Sequence, residues 1–256
     1  MNQSKKYKTE LAEVFGYPVY YVTLAVCVLL SCGHSPTFAD NGYELWMKYN
    51  KIEDANTISE YQKSILSVVV TGQSETCRII QDELTRGLSG LLGKEIPVID
   101  STYENGLIIV GTPDNSDDIK ELINKDKLEY LGPEGFIIKQ KKNNGQNILV
   151  IAANSDIGLL YGSFHFLRLI QTEASLKNID IKSKPKIQYR LLNHWDNLDG
   201  TVERGYAGKS LWKWDQLPEK NDPRYFDYAR ANASPGINGT VLNNVNANPQ
   251  ILKEEY

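Results

Sequence analysis

The sequence predicts an α/β protein in two parts. Three observations carry this. Short apolar runs alternate with helix-patterned stretches from about Asp40 to Ser183. The stretch Ser155 to Gln171 (SDIGLLYGSFHFLRLIQ) is apolar almost all round, so it predicts a helix buried on more than one side. After Lys182-Ser183-Lys184-Pro185 the texture changes to strand, long polar loop, helix and strand, with Pro185 marking a linker.

The elements follow in order. Ile65 to Val70 (ILSVVV) reads as a buried strand. Ser74 suits the N-cap of the next helix, Glu75 its first turn, and Gly93 its C-terminal end. Ile96 to Ile99 and Leu107 to Val110 are short β-type runs, and Asp117 to Ile123 predicts a short helix. Phe136 to Lys139 and Ile148 to Ala152 predict a hairpin around the polar link Lys141 to Gly145. Gly158 and Gly162 lie one helical turn apart, which permits close approach of another chain segment. His165, between Phe164 and Phe166, reads as a core histidine, since no second His or Cys stands at metal-ligand spacing.

The N-terminus reads as a leader over residues 1–39. Lys5, Lys6 and Lys8 precede an apolar run, Tyr17 to Leu30, of signal-peptide length. Leu29-Leu30-Ser31-Cys32 resembles a bacterial lipobox, which implies lipidation at Cys32 and an extracytoplasmic, lipid-anchored protein. Cleavage near Phe38-Ala39-Asp40, giving a secreted protein, is the alternative. Cys77 then remains alone, on an apolar helix face with Ile80, Leu84, Leu88 and Leu91, so no disulfide framework is expected. It reads as a small buried hydrophobe. The net charge of −4 supplies no basic stripe for nucleic acid. With 15 Tyr and 4 Trp the chain is modestly rich in side chains that suit sugar or protein surfaces.

Beyond Pro185, Ile187 to Asn193 predicts a strand, Tyr225 to Ala233 a helix, and Gly239 to Asn243 a second strand. That is one β-α-β unit of a parallel sheet. In a (β/α)8 barrel, chemistry sits on loops at the carboxyl ends of such strands. The polar clusters after Asn193 and after Leu242 occupy that position. Residues 184–256 are thus expected to be the start of a truncated barrel, because two strands and one helix cannot close one.

No dinucleotide fingerprint follows a strand, and no P-loop, HExxH or GxSxG is present. No metal or cofactor is expected. The informative segment is Asn193 to Trp214, NHWDNLDGTVERGYAGKSLWKW. It combines aromatic faces, carboxylates, amides and cations, the mixture that a sugar site needs. It closely resembles the signature of glycoside hydrolase family 67, the α-glucuronidases. The resemblance extends through Arg224 to Asn246, back to Asn154 to Thr172 and to Gly42 to Tyr49. Pro235 departs from it and places the helix end at or before Ser234.

The resemblance implies an N-terminal α/β domain (40–183), a central (β/α)8 domain and a C-terminal helical domain. It implies inverting removal of glucuronic or 4-O-methyl-glucuronic acid from xylo-oligosaccharides, with glucuronoxylan-derived aldouronic acids as partners and homodimers among full-length homologues. The family's acid and base lie on later strands, so no catalytic residue is expected among these residues. Trp195 is expected to wall the uronic-acid pocket. Glu203 and Arg204 are expected as an ion pair or as sugar contacts, and Asn243 and Asn244 to reach hydroxyls. A non-catalytic carbohydrate-binding lipoprotein is the competing reading. The same string argues against a β-N-acetylhexosaminidase with a similar first domain.

Overall fold

The computed structural model describes residues 40–100, 105–143, 145–243, 246 and 248–253. The expectations at Cys27, Cys32, Asn244 and residues 254–256 lie outside the described residues. The chain divides into two compact units, Met1–Glu44 and Leu45–Tyr256. In the first, Asp40 and Asn41 form side-chain turns by accepting from the amides of Gly42 and Tyr43 at 3.0 and 2.9 Å. The helices and strands of the described residues all lie in the second.

Helix α1 (Ala55–Ser64) is capped by Asp54, whose side chain accepts from the Thr57 amide. It is mostly polar and buries Tyr61, whose hydroxyl donates to the Ala174 carbonyl at 2.6 Å. Burial pushes that phenol up to about 12. Strand β1 (Ser67–Val70) leads to α2 (Glu75–Leu92), which has Ser74 as N-cap and Gly93 in the left-handed conformation at its end, as the sequence predicts. Then come β2 (Leu107–Gly111), α3 (Asp117–Leu122), α4 (Lys125–Leu131), β3 (Phe136–Asn143), β4 (Gln146–Ala153), α5 (Asp156–Gln171) and β5 (Asp180–Ser183).

The five strands pair in the order β1-β2-β4-β3-β5. β1, β2 and β4 run parallel, and β3 runs antiparallel to both β4 and β5. One face packs Val68, Ile108, Ile138 and Ile151 against Ile80, Leu84 and Leu88 of α2 and Phe166 and Ile170 of α5. The other packs Val69, Leu107, Ile109, Ile137 and Val150 against Ile119, Ile123, Leu128 and Leu131 of α3 and its neighbour α4. A sheet covered on both faces needs strands apolar on both faces, hence the unbroken runs in β2 and β4. Gly158 is required by close approach: a β-carbon there would lie 2.7 Å from the Gly135 carbonyl oxygen.

Three expectations change. The helices α1 and α4 were not anticipated: α1 buries Tyr61 alone and lacks an apolar period, and α4 is seven residues long, too short to show one beyond Leu128 and Leu131. Lys182 and Ser183 are not linker: they close β5 against Ile137 and Phe136. The next strand, β6, is Leu191–Asp196 rather than Ile187 to Asn193. Its position is set by parallel pairing with β7 (Gly239–Asn243), in which Leu191 faces Gly239 and Asn193 faces Val241. Between them lies α6 (Pro223–Ala233), with Asp222 as N-cap and Ser234 as C-cap, and a 3-10 turn closes at Pro249–Leu252.

The β6-α6-β7 unit is fastened to the larger sheet by polar contacts. Arg230 of α6 donates from Nε to Glu83 Oε2 at 2.6 Å and from Nη2 to Oε1 at 2.8 Å. Tyr49 donates to the same carboxylate at 2.5 Å. Burial, then the Glu83 charge, pushes the Tyr49 phenol far up, and the Glu83 bond holds Arg230 above its ordinary value. Arg190 pairs with Glu134 at 2.9 Å and donates to the Gly236 carbonyl at 2.5 Å. Arg168 and Trp46 both bond Ser234, at 2.9 and 2.7 Å.

Candidate functional site

β6 alternates in burial along its length, so its two faces differ. His194 and Asp196 turn toward α6 and the loop that follows and Leu192 is half-buried, whereas Leu191, Asn193 and Trp195 are exposed. Trp195, expected after the strand, lies within it and is 44% exposed. Val241 of β7 is exposed as well.

The covered side is an aromatic and hydrogen-bonded cluster that sequence reasoning missed. His194 Nε2 lies 2.5 Å from Tyr228 Oη of α6, and its ring meets the Trp212 ring edge-on at 5.9 Å. Trp212 also packs against Tyr225 and Tyr228, at centroid distances of 5.0 and 5.4 Å. Tyr225 and Tyr228 stand three apart on one helix face, and His194 and Asp196 two apart on one strand face. That double periodicity was the available signal. Asp196 is buried, accepts from Ser210 Oγ, and lies 3.7 Å from His194 Nδ1.

The loop after β6 is held by its own polar side chains. Asp199 Oδ1 accepts from the Thr201 amide and hydroxyl at 2.9 and 2.6 Å, which lowers its pKa. Asn197 Nδ2 donates to Thr201 Oγ1 at 3.0 Å and to the Glu203 carbonyl at 2.8 Å. Glu203 has φ +57°, a left-handed backbone held by its amide bond to the Trp195 carbonyl at 2.7 Å. Its carboxylate accepts from Tyr206 Oη at 2.5 Å, which raises that exposed phenol's pKa. Short antiparallel bridges tie Asp196 to Val202 and Thr201 to Lys209.

An open concavity beside this loop is lined by Asn197, Asp199, Thr201, Arg204, Asn248 and Gln250. Arg204 is solvent-exposed there. Asn243 ends β7, half-buried. Of the residues singled out from the sequence, Trp195 lies in β6, Asn243 ends the paired strand β7, and Glu203 and Arg204 follow in the loop after β6; only Arg204 of these four lines the concavity. Asn244 lies outside the described residues. Among the described residues, no group of three or more His, Cys, Asp or Glu is placed to hold a metal.

A layered α/β domain leading into a parallel β-α-β unit, with a polar, aromatic loop at its strand ends, suits a chain of the glycoside hydrolase class. Sequence comparison makes this particular. The profile of the glycosyl hydrolase family 67 N-terminus matches residues 45–166, and that of the family 67 middle domain matches residues 169–256. The chain belongs to glycosyl hydrolase family 67. It is 30% identical over 231 residues to the probable alpha-glucuronidase A of Aspergillus terreus, covering 90% of this chain and 27% of that protein. It is 32% identical over 236 residues to alpha-glucuronidase A of Emericella nidulans, covering 85% and 26%. The chain therefore spans about a quarter of the length of these relatives. Among solved structures, a GH138 enzyme targeting pectin rhamnogalacturonan II overlaps 70% of this chain and 19% of its own, with 14% identity and a TM-score of 0.45. A Streptomyces plicatus β-hexosaminidase overlaps 53% and 25%, with 15% identity and a TM-score of 0.34.

Proposed function

We propose that these residues are the N-terminal domain and the opening of the catalytic (β/α)8 barrel of an extracytoplasmic α-glucuronidase. Its reaction is the inverting release of glucuronic or 4-O-methyl-glucuronic acid from xylo-oligosaccharides. The observation that carries the reading is Trp195, exposed on the helix-free face of β6, at the carboxyl end that Arg204 and Asn243 share. In a barrel the helices lie outside, so the helix-free face is the lumen. An aromatic wall there excludes water from the uronic-acid ring and orients it. Arg204 supplies a cation for the sugar carboxylate.

Inversion needs a protonated carboxyl and a base carboxylate about 6.5–9.5 Å apart across the sugar. Asp196, Asp199 and Glu203 are each bonded within the loop, to Ser210, Thr201 and Tyr206. Their role in this reading is to hold the loop, and the acid and base belong to later strands. Lipidation of Cys32 places the enzyme on a membrane surface outside the cytoplasm. Cys32→Ala should abolish lipid labelling and release the protein, and unchanged membrane association would remove that part of the proposal.

The test of function uses reduced aldotetraouronic acid. The chain alone should release no uronic acid above the blank. A chimera in which it replaces the corresponding quarter of the Emericella nidulans protein should release it. A folded but inactive chimera would overturn the reading. Release by the chain alone would assign it its own catalytic pair, with Asp196, Asp199 and Glu203 the first residues to substitute.

A further inference from the structure

Away from the β6 loop, a cleft opens where α5 of the larger sheet meets the turn that follows α6. Its volume is about 210 Å³, and Glu134, Tyr161, His165, Arg168, Ser183 and Arg190 line it. One pocketful of that size accepts a single sugar ring. We propose that this cleft is a second binding site, for a sugar carboxylate, separate from the strand-end pocket. The choice of a sugar acid rests on the α-glucuronidase reading. The cleft and its charge do not.

The charge is unbalanced. Two guanidinium groups, Arg168 and Arg190, face one carboxylate, Glu134. Glu134 is already used: Oε2 accepts from Arg190 at 2.9 Å and Oε1 from Asn238 at 2.9 Å. Among the described residues, the Arg168 side chain donates to the Ser234 carbonyl alone, at 2.9 Å, and no carboxylate pairs with it. Its remaining donors are free to take a carboxylate in the two-pronged way that guanidinium favours.

The second polar group is His165. The sequence reading made it a core histidine, yet it is half-buried and lines the cleft. Its ring rests on Phe136 at 5.4 Å, and its imidazole has no hydrogen-bond partner among the described residues. Burial, then the Arg168 charge, holds its pKa below the ordinary imidazole value. Arg190, Glu134 and Tyr161 are the other titratable groups that share the cleft. A hydroxyl-bearing anion answers both vacancies. Its carboxylate neutralises Arg168, and its hydroxyls bond His165 and Ser183. Bound there, it would bridge α5 and the Ser234 turn, the same two elements that the Arg168 bond now joins.

The experiment is a titration of the whole chain, with nitrogen-15 in its histidines, by sodium glucuronate, glucose and sodium phosphate. Glucuronate should shift the His165 imidazole signals saturably and raise the His165 pKa, because a nearby anion favours imidazolium. Glucose should shift them little, and phosphate should bind more weakly than glucuronate. Arg168→Gln should weaken glucuronate binding by about tenfold or more, the loss of a charge-assisted pair. Since that change also touches the joint, Ser183→Ala provides a milder second variant and should weaken glucuronate several-fold without altering phosphate. No saturable shift with glucuronate overturns the site. Equal binding of phosphate overturns its sugar-acid character. Binding by a chain whose chimera is inactive keeps the site while the functional reading fails.

Discussion

The two sheets answer the same physical problem differently. The five-stranded sheet buries both faces under helices, and β2 (LIIVG) is buried at every residue. Among the described residues the two-stranded sheet has one α-helix, α6, and β6 shows Leu191, Asn193 and Trp195 to solvent. Parallel strands are normally covered on both faces. The first sheet is therefore closed in itself and held by apolar contact. The second is fastened by a few polar pairs to distant parts of the chain, Glu83 to Arg230, Glu134 to Arg190 and Arg168 to Ser234, beside the packing of Ala231 and Ala233 on the core. Burial is spread over many side chains, while a polar fastening concentrates stability in few.

The most severe way to break this arrangement is at Glu83, which is 2% exposed and meets Arg230 and Tyr49. Removing one partner of a buried pair leaves the other charge uncompensated and costs about 3–5 kcal/mol. Glu83→Ala should lower the urea midpoint of the whole chain accordingly. The same change in residues 40–183 expressed alone should cost less than in the whole chain, since Arg230 is absent there and only the Tyr49 bond is lost. That shorter segment should itself melt cooperatively. Equal losses in both lengths would show that Glu83 serves the first sheet and not the fastening.

A middle-sized effect belongs to the closed sheet. Gly158→Ala would set a β-carbon 2.7 Å from the Gly135 carbonyl oxygen and 2.9 Å from that of Pro133, both main-chain atoms. Backbone cannot step aside as a side-chain tip can, so overpacking of about 1–3 kcal/mol should follow, read as a fall in melting temperature. Ser74→Ala is smaller. Ser74 Oγ accepts from the Cys77 amide at 3.1 Å and donates to Asp156 at 2.6 Å, so its loss should cost about 1 kcal/mol by the same measurement.

These two positions also show what the sequence made legible. Ser74, Gly93, Gly158 and the apolar face through Cys77, Ile80, Leu84 and Leu88 were readable because caps and helical periods are local. β6 was misplaced toward Ile187 and Tyr189, which are apolar yet 65% and 71% exposed. Pairing with β7 and packing of His194 on Tyr228 fix that strand, and neither is a local property. Glu83 and Arg230 lie 147 residues apart, a separation at which charge pattern carries no pairing information. The site was readable as a composition, aromatic with carboxylate and guanidinium. Which side of β6 each residue takes was not.

An equally small expected effect on stability is the sharpest on function, and it compares two tryptophans of the same segment. Trp212 packs against His194, Tyr225 and Tyr228. Trp195 is 44% exposed on the bare face. Truncating a packed aromatic forfeits its contacts and leaves a cavity, so Trp212→Ala should cost about 3 kcal/mol. Trp195→Ala uncovers less than that, with nearly half the side chain already in solvent, and should cost about 1 kcal/mol in this chain. In an active chimera with the Emericella nidulans protein the order should reverse for residues that retain their fold. There Trp195→Ala should lower kcat/KM for aldouronic acids strongly, because the aromatic wall acts on the bound sugar. Trp212→Phe, which keeps a ring in the cluster, should leave kcat/KM close to that of the parent. Kinetics of Trp195→Ala within about twofold of the parent, with an unchanged melting temperature, would make Trp195 an exposed surface residue and move the uronic-acid pocket elsewhere.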